Sequence, residues 1–172
     1  YQRLASRSSG VVVAGLSMGG ALTLWVGSMH PEVLGLVCVN PATQPQPPEV
    51  IEMLEDFLEQ GMSVIPGIGS DIADPEVRET AYEGTPINPL LSLMAGLDDL
   101  APRYSSMTMP LLLLNSPQDH VVDPAQADFL AAGFAGPVER VTLERSYHVA
   151  TMDYDQELIF QNSLTFIEAQ TK

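Results

Sequence analysis

The stretch "VVVAGLSMGG", Val11 to Gly20, limits what this chain can fold into more than any other. Consecutive β-branched residues favour a buried strand, and the small residues behind them make a tight turn into a helix that starts at Ser17. Gly15, Ser17 and Gly19 match G-x-S-x-G, a pattern that sets a serine on a sharp strand-to-helix turn. Glycines at 15 and 19 remove Cβ atoms that would collide where strand and helix pack closely. The helix N-terminus then points its free N–H groups at any anion that develops beside the serine. Ser17 is a candidate nucleophile on this reading; the alternative is a plain helix N-cap, with the glycines serving only the turn.

An unassisted hydroxyl is a poor nucleophile near neutral pH, so a base and a group to orient it must lie elsewhere. The chain offers three histidines. His30 ends a helix before Pro31 and reads as a surface terminus. His120 follows Asp119 in a loop, within reach of a substrate. His148 lies in "ERSYHVATMD", after a strand and before the last helix, at the carboxyl edge where open α/β sheets carry their sites. His148 is therefore the candidate base. For the acid, "LLLLNSPQDHVVDP" supplies Asp119 in the loop proper, while Asp123 precedes Pro124 and reads as the N-cap of the next helix. Asp153 and Asp155 read as first-turn acids of the final helix, favoured by its dipole.

The remaining pattern is strands alternating with helices. "VVVAG" (11–15), "LGLVCVN" (34–40), "PLLLLNS" (110–116) and "PVERVTLE" (137–144) read as strands, the first two fully buried. Helices follow at "SMGGALTLWVGSMH", at "DPAQADFLAAGFA" and at "DYDQELIFQNSLTFIEAQ". The alternation predicts an α/β fold with a parallel sheet. Residues 1–41 and 106–172 form the core on this reading, and 42–105 is an inserted lid or cap, longer than a connection needs. The insertion opens with the proline cluster "PATQPQPPEV". An amphipathic helix, "PEVIEMLEDFLEQG", follows, with Val50, Ile51, Leu54 and Leu58 on one side. Its apolar residues Met53, Leu54, Met62, Ile65, Ile68, Leu93 and Met94 either line an acyl pocket or close the cap's own core.

Charge narrows the function classes. With 22 acidic against 7 basic residues, a net charge of −15, the surface repels phosphate backbones and anionic membranes, so nucleic-acid binding is not expected. The single cysteine, Cys38, sits in an apolar run and reads as a buried structural thiol. No apolar run approaches the ~18 residues that span a bilayer, and the leader "YQRLASRSSG" has no signal-peptide core. A cytoplasmic location and no stable membrane insertion are expected.

Together, "GLSMGGALTLWVGSMHPEVLGLVCVNPA", "LLLLNSPQDHVVDP" and "SYHVATMDYD" resemble the C-terminal two-thirds of bacterial α/β-hydrolase carboxylesterases related to monoacylglycerol lipases. The order Ser17, Asp119, His148 is that of the same fold. The resemblance implies that Ser17 is acylated, that His148 is general base and then acid, and that Asp119 orients it. It also implies that Met18 gives one oxyanion N–H, that a cap covers an apolar acyl pocket, and that neither metal nor cofactor is needed. Family members carry further strands and the second oxyanion donor ahead of the serine strand, and only ten residues precede Val11. A partial hydrolase fold of about four strands is therefore expected, completed by an N-terminal segment of roughly 70 to 80 residues by analogy with the fold. The expected reaction is hydrolysis of short- to medium-chain carboxylic or monoacylglycerol esters. The alternatives are a thioesterase or acyltransferase on the same triad, or a non-catalytic fragment acting as a binding or assembly module.

Overall fold

In the computed structural model, which describes residues 1–172, the chain builds a four-stranded parallel sheet in the order β1-β2-β5-β6. A short helix α1 (Gln2–Ala5) precedes β1 (Val12–Leu16), which turns into helix α2 (Met18–Met29) and then β2 (Gly35–Val39). The insertion follows: helix α3 (Pro48–Glu59), strands β3 (Val64–Pro66) and β4 (Gly84–Pro86), helix α4 (Ile87–Leu100) and a 3-10 segment (Ala101–Ser106). The chain closes with β5 (Leu111–Asn115), α5 (Ala125–Gly133), β6 (Val138–Thr142), a 3-10 turn (Ala150–Met152) and α6 (Gln156–Gln170). No helix is long and apolar enough to cross a membrane.

The two central strands explain why their sequences are unbroken apolar runs. Successive side chains of a strand point to opposite faces, and here both faces are covered. Leu36, Cys38, Leu111 and Leu113 join the core with Leu24 of α2 and Leu130 of α5. Val37, Val39, Leu112 and Leu114 point the other way, into a core with Ile159 and Phe166 of α6. Burial pushes the Cys38 thiol well above its ordinary pKa, which suits the inert structural role.

β1 departs from the expectation of a fully buried strand. It pairs with β2 on one side only, and its residues are half-buried, with Ala14 exposed. A β-branched run reports strand propensity, not the number of neighbours a strand has.

The insertion differs from its sequence reading in two ways. Its own small core holds Leu54, Ile87 and Met94, with Val50, Ile51, Leu58 and Ile65 packed against it, so α3 buries the expected face. However, Leu100 and Tyr104, also inside the 42–105 segment, belong to the main core, so α4 runs from one core into the other. Tyr104 is buried with its hydroxyl donating to the Thr43 carbonyl at 2.9 Å, which fixes the end of the insertion to its beginning. β3 and β4 pair antiparallel, and the sequence showed no alternation there, because each strand is only three residues long.

The strand-to-helix turn shows which glycines the geometry demands. A Cβ on Gly15 would sit 2.0 Å from the Gly19 carbonyl oxygen, and one on Gly20 would sit 2.5 Å from Pro41 Cβ. Gly19 differs from the expectation, since a Cβ there meets nothing within 4 Å. The backbone of Gly19, not its missing side chain, is what crowds Gly15. Gly15→Ala is accordingly expected to cost about 3 kcal/mol or more by overpacking against backbone. Gly19→Ala is expected to be neutral or to stabilise by up to ~1 kcal/mol, as alanine in a helix loses less entropy. Urea denaturation midpoints of the two variants check this.

Candidate active site

The carboxyl ends of β1, β5 and β6 bring Ser17, Asp119 and His148 to one edge of the sheet. Ser17 stands between β1 and α2 with φ 56° and ψ −121°, a left-handed backbone that a non-glycine residue adopts only when its surroundings enforce it. The enforcement is visible. Ser17 N–H donates to the Val39 carbonyl at 2.9 Å, and the Ser17 carbonyl accepts the N–H of Gly20 at 2.9 Å and that of Ala42 at 3.2 Å. Ser17 occupies the N-cap position, yet its hydroxyl makes no capping hydrogen bond. The plain N-cap reading therefore has no support in the geometry.

Asp119 and His148 form a buried pair. His148 Nδ1 lies 2.8 Å from Asp119 Oδ2, with side chains 7% and 2% exposed. A carboxylate only accepts, so Nδ1 donates to it and Nε2 is left for another partner. The second Asp119 oxygen accepts the N–H groups of Val121 and Val122, each at 2.8 Å, which fixes the carboxylate in its loop. Asp123 accepts the Ala125 N–H at 2.9 Å, at the start of α5, as a capping residue should.

Ser17 and His148 line the same cavity of about 380 Å³, together with Glu79, Tyr82 and Thr85 of the insertion. On its other side Ser17 opens to a cavity of about 440 Å³ walled by Met18, Ile68, Leu90, Leu93, Met94 and Val121 among others. Ser17 Oγ and the His148 ring make no direct hydrogen bond here. Such contacts are commonly long without substrate and tighten when it binds. Leu54 and Met94 pack in the insertion's own core, while Ile68, Leu93 and Met94 face the larger cavity. Met53 and Met62 are exposed and line neither cavity.

The other candidates fall elsewhere. His30 stacks on Tyr1 at 4.0 Å between ring centroids and meets Glu32 on the surface. His120 lines neither Ser17 cavity, and its Nδ1 lies 2.8 Å from Asp71 Oδ1. Asp153 and Asp155 correct the first-turn reading. They precede α6, are buried, and hold the histidine loop: Asp155 accepts the Arg145 N–H at 2.8 Å and Asp153 the Tyr147 N–H at 2.9 Å. Their position beside a helix start was legible, but their burial depends on a loop folding back over them.

Asn40 is the functional residue that sequence reasoning missed. In sequence it is only the last residue of the run "LGLVCVN", but it sits at a φ of 42° with its side chain bonded across to the loops after β5 and β6. Its Oδ1 accepts the Ser116 N–H at 2.7 Å, and its Nδ2 donates to Ser116 Oγ, to the Tyr147 carbonyl and to the His148 carbonyl at 3.1, 3.2 and 2.8 Å. The one available signal was its type, because asparagine tolerates the left-handed region better than other side chains.

A parallel α/β sheet with a serine at a strained strand-to-helix turn, and a buried histidine–aspartate pair at the same edge, defines the α/β-hydrolase class. The family model described as "Serine aminopeptidase, S33" matches residues 2–155, and the chain belongs to that family. It is 38% identical over 170 residues to a thermostable monoacylglycerol lipase of Bacillus sp. (strain H-257), covering 96% of this chain and 66% of the lipase. A carboxylesterase of Bacillus subtilis (strain 168) is 23% identical over 170 residues, covering 98% of this chain and 68% of that enzyme. Among solved structures, one from work on the metagenome-derived lipolytic enzymes LipS and LipT superposes with a TM-score of 0.85 at 38% identity. That superposition covers 98% of this chain and 69% of the other. The chain thus spans about two thirds of the length of these relatives.

Removing the Asn40 network leaves the buried Ser116 N–H without a partner and frees the His148 carbonyl. Each such loss costs about 1–3 kcal/mol. Asn40→Ala adds left-handed strain of about 1–2 kcal/mol, so it is expected to destabilise more than Asn40→Gly, by about that amount. Thermal melts of both variants measure the difference.

Proposed function

We propose that this chain carries the reacting centre of a serine carboxylic-ester hydrolase, in which Ser17 is the nucleophile, His148 the general base and acid, and Asp119 the orienting carboxylate. The observation that carries the reading is the buried His148–Asp119 pair, whose ring shares a cavity with a serine held at positive φ. In this reading His148 Nε2 takes the Ser17 proton as Oγ bonds to the ester carbonyl carbon. The carbonyl π electrons move to oxygen, and the resulting oxyanion is stabilised by the Met18 N–H, one of the donors a helix N-terminus cannot satisfy internally. Collapse of the tetrahedral intermediate breaks the bond to the alcohol, which leaves with the proton from His148. Water then enters and gives a proton to His148 as its oxygen bonds to the acyl carbon; collapse of this second tetrahedral intermediate breaks the bond to Ser17 Oγ, which takes the proton from His148 as the acid leaves.

The two cavities support a division of the substrate. The larger, apolar one suits an acyl chain of short to medium length. The one shared with His148 suits the leaving alcohol, because the departing oxygen must lie within reach of Nε2, and Glu79 there offers an acceptor for further hydroxyls such as those of a monoacylglycerol. Segment 42–105 acts as the cap that walls both cavities. The family description names an aminopeptidase, but the apolar walls beside Ser17 favour an acyl chain over a peptide. The same centre could serve thioesters or acyl transfer, and substrate comparison separates these.

In the full-length protein, Ser17→Ala and His148→Ala are expected to lower kcat on a p-nitrophenyl ester by about 10⁴-fold or more, and Asp119→Asn by about 10³- to 10⁴-fold. The parent enzyme is expected to prefer the ester over the matching thioester and amino-acid anilide. Retained ester turnover in Ser17→Ala contradicts the assignment, and faster anilide cleavage contradicts the substrate class.

A further inference from the structure

The insertion reaches back to the carboxyl edge of the sheet through Asp71, in the segment between β3 and β4. Asp71 Oδ2 accepts the His148 N–H at 3.0 Å and the His120 N–H at 3.1 Å, while Oδ1 meets His120 Nδ1 at 2.8 Å. The Asp71 carbonyl accepts the Val149 N–H at 3.0 Å. One residue of the insertion therefore joins the loop after β5, immediately beside Asp119, to the loop after β6 at His148 itself. Just beyond it, Ala73 and Asp74 donate their N–H groups to the Asp153 carboxylate at 2.7 and 3.1 Å, and the same carboxylate accepts the Tyr147 N–H. The insertion is tied to the histidine loop at His148, at Val149 and at Asp153.

Burial alone raises the pKa of the Asp71 carboxyl, but hydrogen bonds from the His120 ring and from the His148 and His120 N–H groups outweigh it and hold the group below the usual carboxylate range. Asp71 is ionised near neutral pH, and its contacts are charge-assisted. His148 is thus restrained at three points: its ring by Asp119, its carbonyl by Asn40 and its N–H by Asp71. The first two come from the sheet side. The third comes from the insertion, and nothing in the hydrolase chemistry itself requires a carboxylate there.

We propose that Asp71 is a positioning residue for His148, fixing the backbone from which the imidazole reaches Asp119 and Ser17 and so coupling the seating of the insertion to the alignment of the base. This rests on the reading of Ser17, His148 and Asp119 as the reacting set. Asp71 touches no reacting atom; it acts through the His148 peptide.

The test is steady-state kinetics of p-nitrophenyl ester hydrolysis by the full-length protein. Asp71→Ala is expected to lower kcat about tenfold with KM within about twofold, because misplacing a reacting group costs rate without weakening ground-state binding. Asp71→Asn keeps an oxygen for the two backbone N–H groups and is expected to recover most of the loss. In an Asp119→Asn background the effect of Asp71→Ala is expected to shrink below about threefold, since both act through His148. Where Asp71→Ala fails to fold, Asp71→Leu, similar in shape and without an acceptor, takes its place. An unchanged kcat, a loss confined to KM, or a full-sized effect in the Asp119→Asn background overturns the proposal. Ser17→Ala, run in parallel, separates the two failures. Turnover that survives it overturns the triad reading and this proposal together, whereas turnover lost in Ser17→Ala but intact in Asp71→Ala overturns the proposal alone.

Discussion

The side-chain amide of Asn40 ties the loops that follow β5 and β6 to the end of β2, and the candidate site at this edge of the sheet depends on that tie. Its backbone N–H continues the ladder to Leu114 at 2.9 Å, and its Oδ1 and Nδ2 hold Ser116 after β5 and the Tyr147–His148 carbonyls after β6. One residue earlier, the Val39 carbonyl accepts the Ser17 N–H and fixes the turn after β1. A parallel sheet delivers all its carboxyl ends to one edge, but delivery alone leaves loops free to splay. The buried hydrogen bonds of Asn40 and Ser116 close that freedom, and no buried side-chain polar atom is left without a partner. The strain at Ser17, of order 1–3 kcal/mol for such a backbone, is sustained by the same arrangement.

Much of this was legible from residue order. The unbroken runs "GLVCV" and "LLLLN" carry strands covered on both faces, and their burial by two separate cores follows from the two-residue period of a strand. Ser17, Asp119 and His148 were singled out because each lies in a loop or turn that follows a strand, where local pattern and chemical type agree. β1 read as buried because propensity does not count neighbours. Asn40 read only as the last residue of its run because its partners lie 76 to 108 residues away, beyond any local pattern. Asp71 escaped notice, and Asp153 and Asp155 read only as first-turn acids, for a related reason. In a chain this acidic a single carboxylate carries no signal until the fold shows which ones face backbone N–H groups instead of water.

The inserted segment packs into its own small core and into the main core. Its small core around Leu54, Ile87 and Met94 is continued by α4 into the main core through Leu100 and Tyr104, and the other end of that path is the Asp71 contact with the histidine loop. Between these anchors lie Ile68, Thr85, Pro86, Leu93 and Met94, which wall the cavities on either side of Ser17. A substrate seated against those walls bears on a segment hydrogen-bonded to His148. On the proposed reading, binding and alignment of the base are then mechanically linked, a connection that residue types alone do not reveal.

The most direct measurement of the central claim is peptide mapping by mass spectrometry after reaction of the full-length protein with a fluorophosphonate probe. A single phosphonyl adduct on the peptide carrying Ser17, absent from Ser17→Ala and formed far more slowly in His148→Ala, is the predicted result. An adduct on another residue, or no adduct in a folded protein, contradicts it.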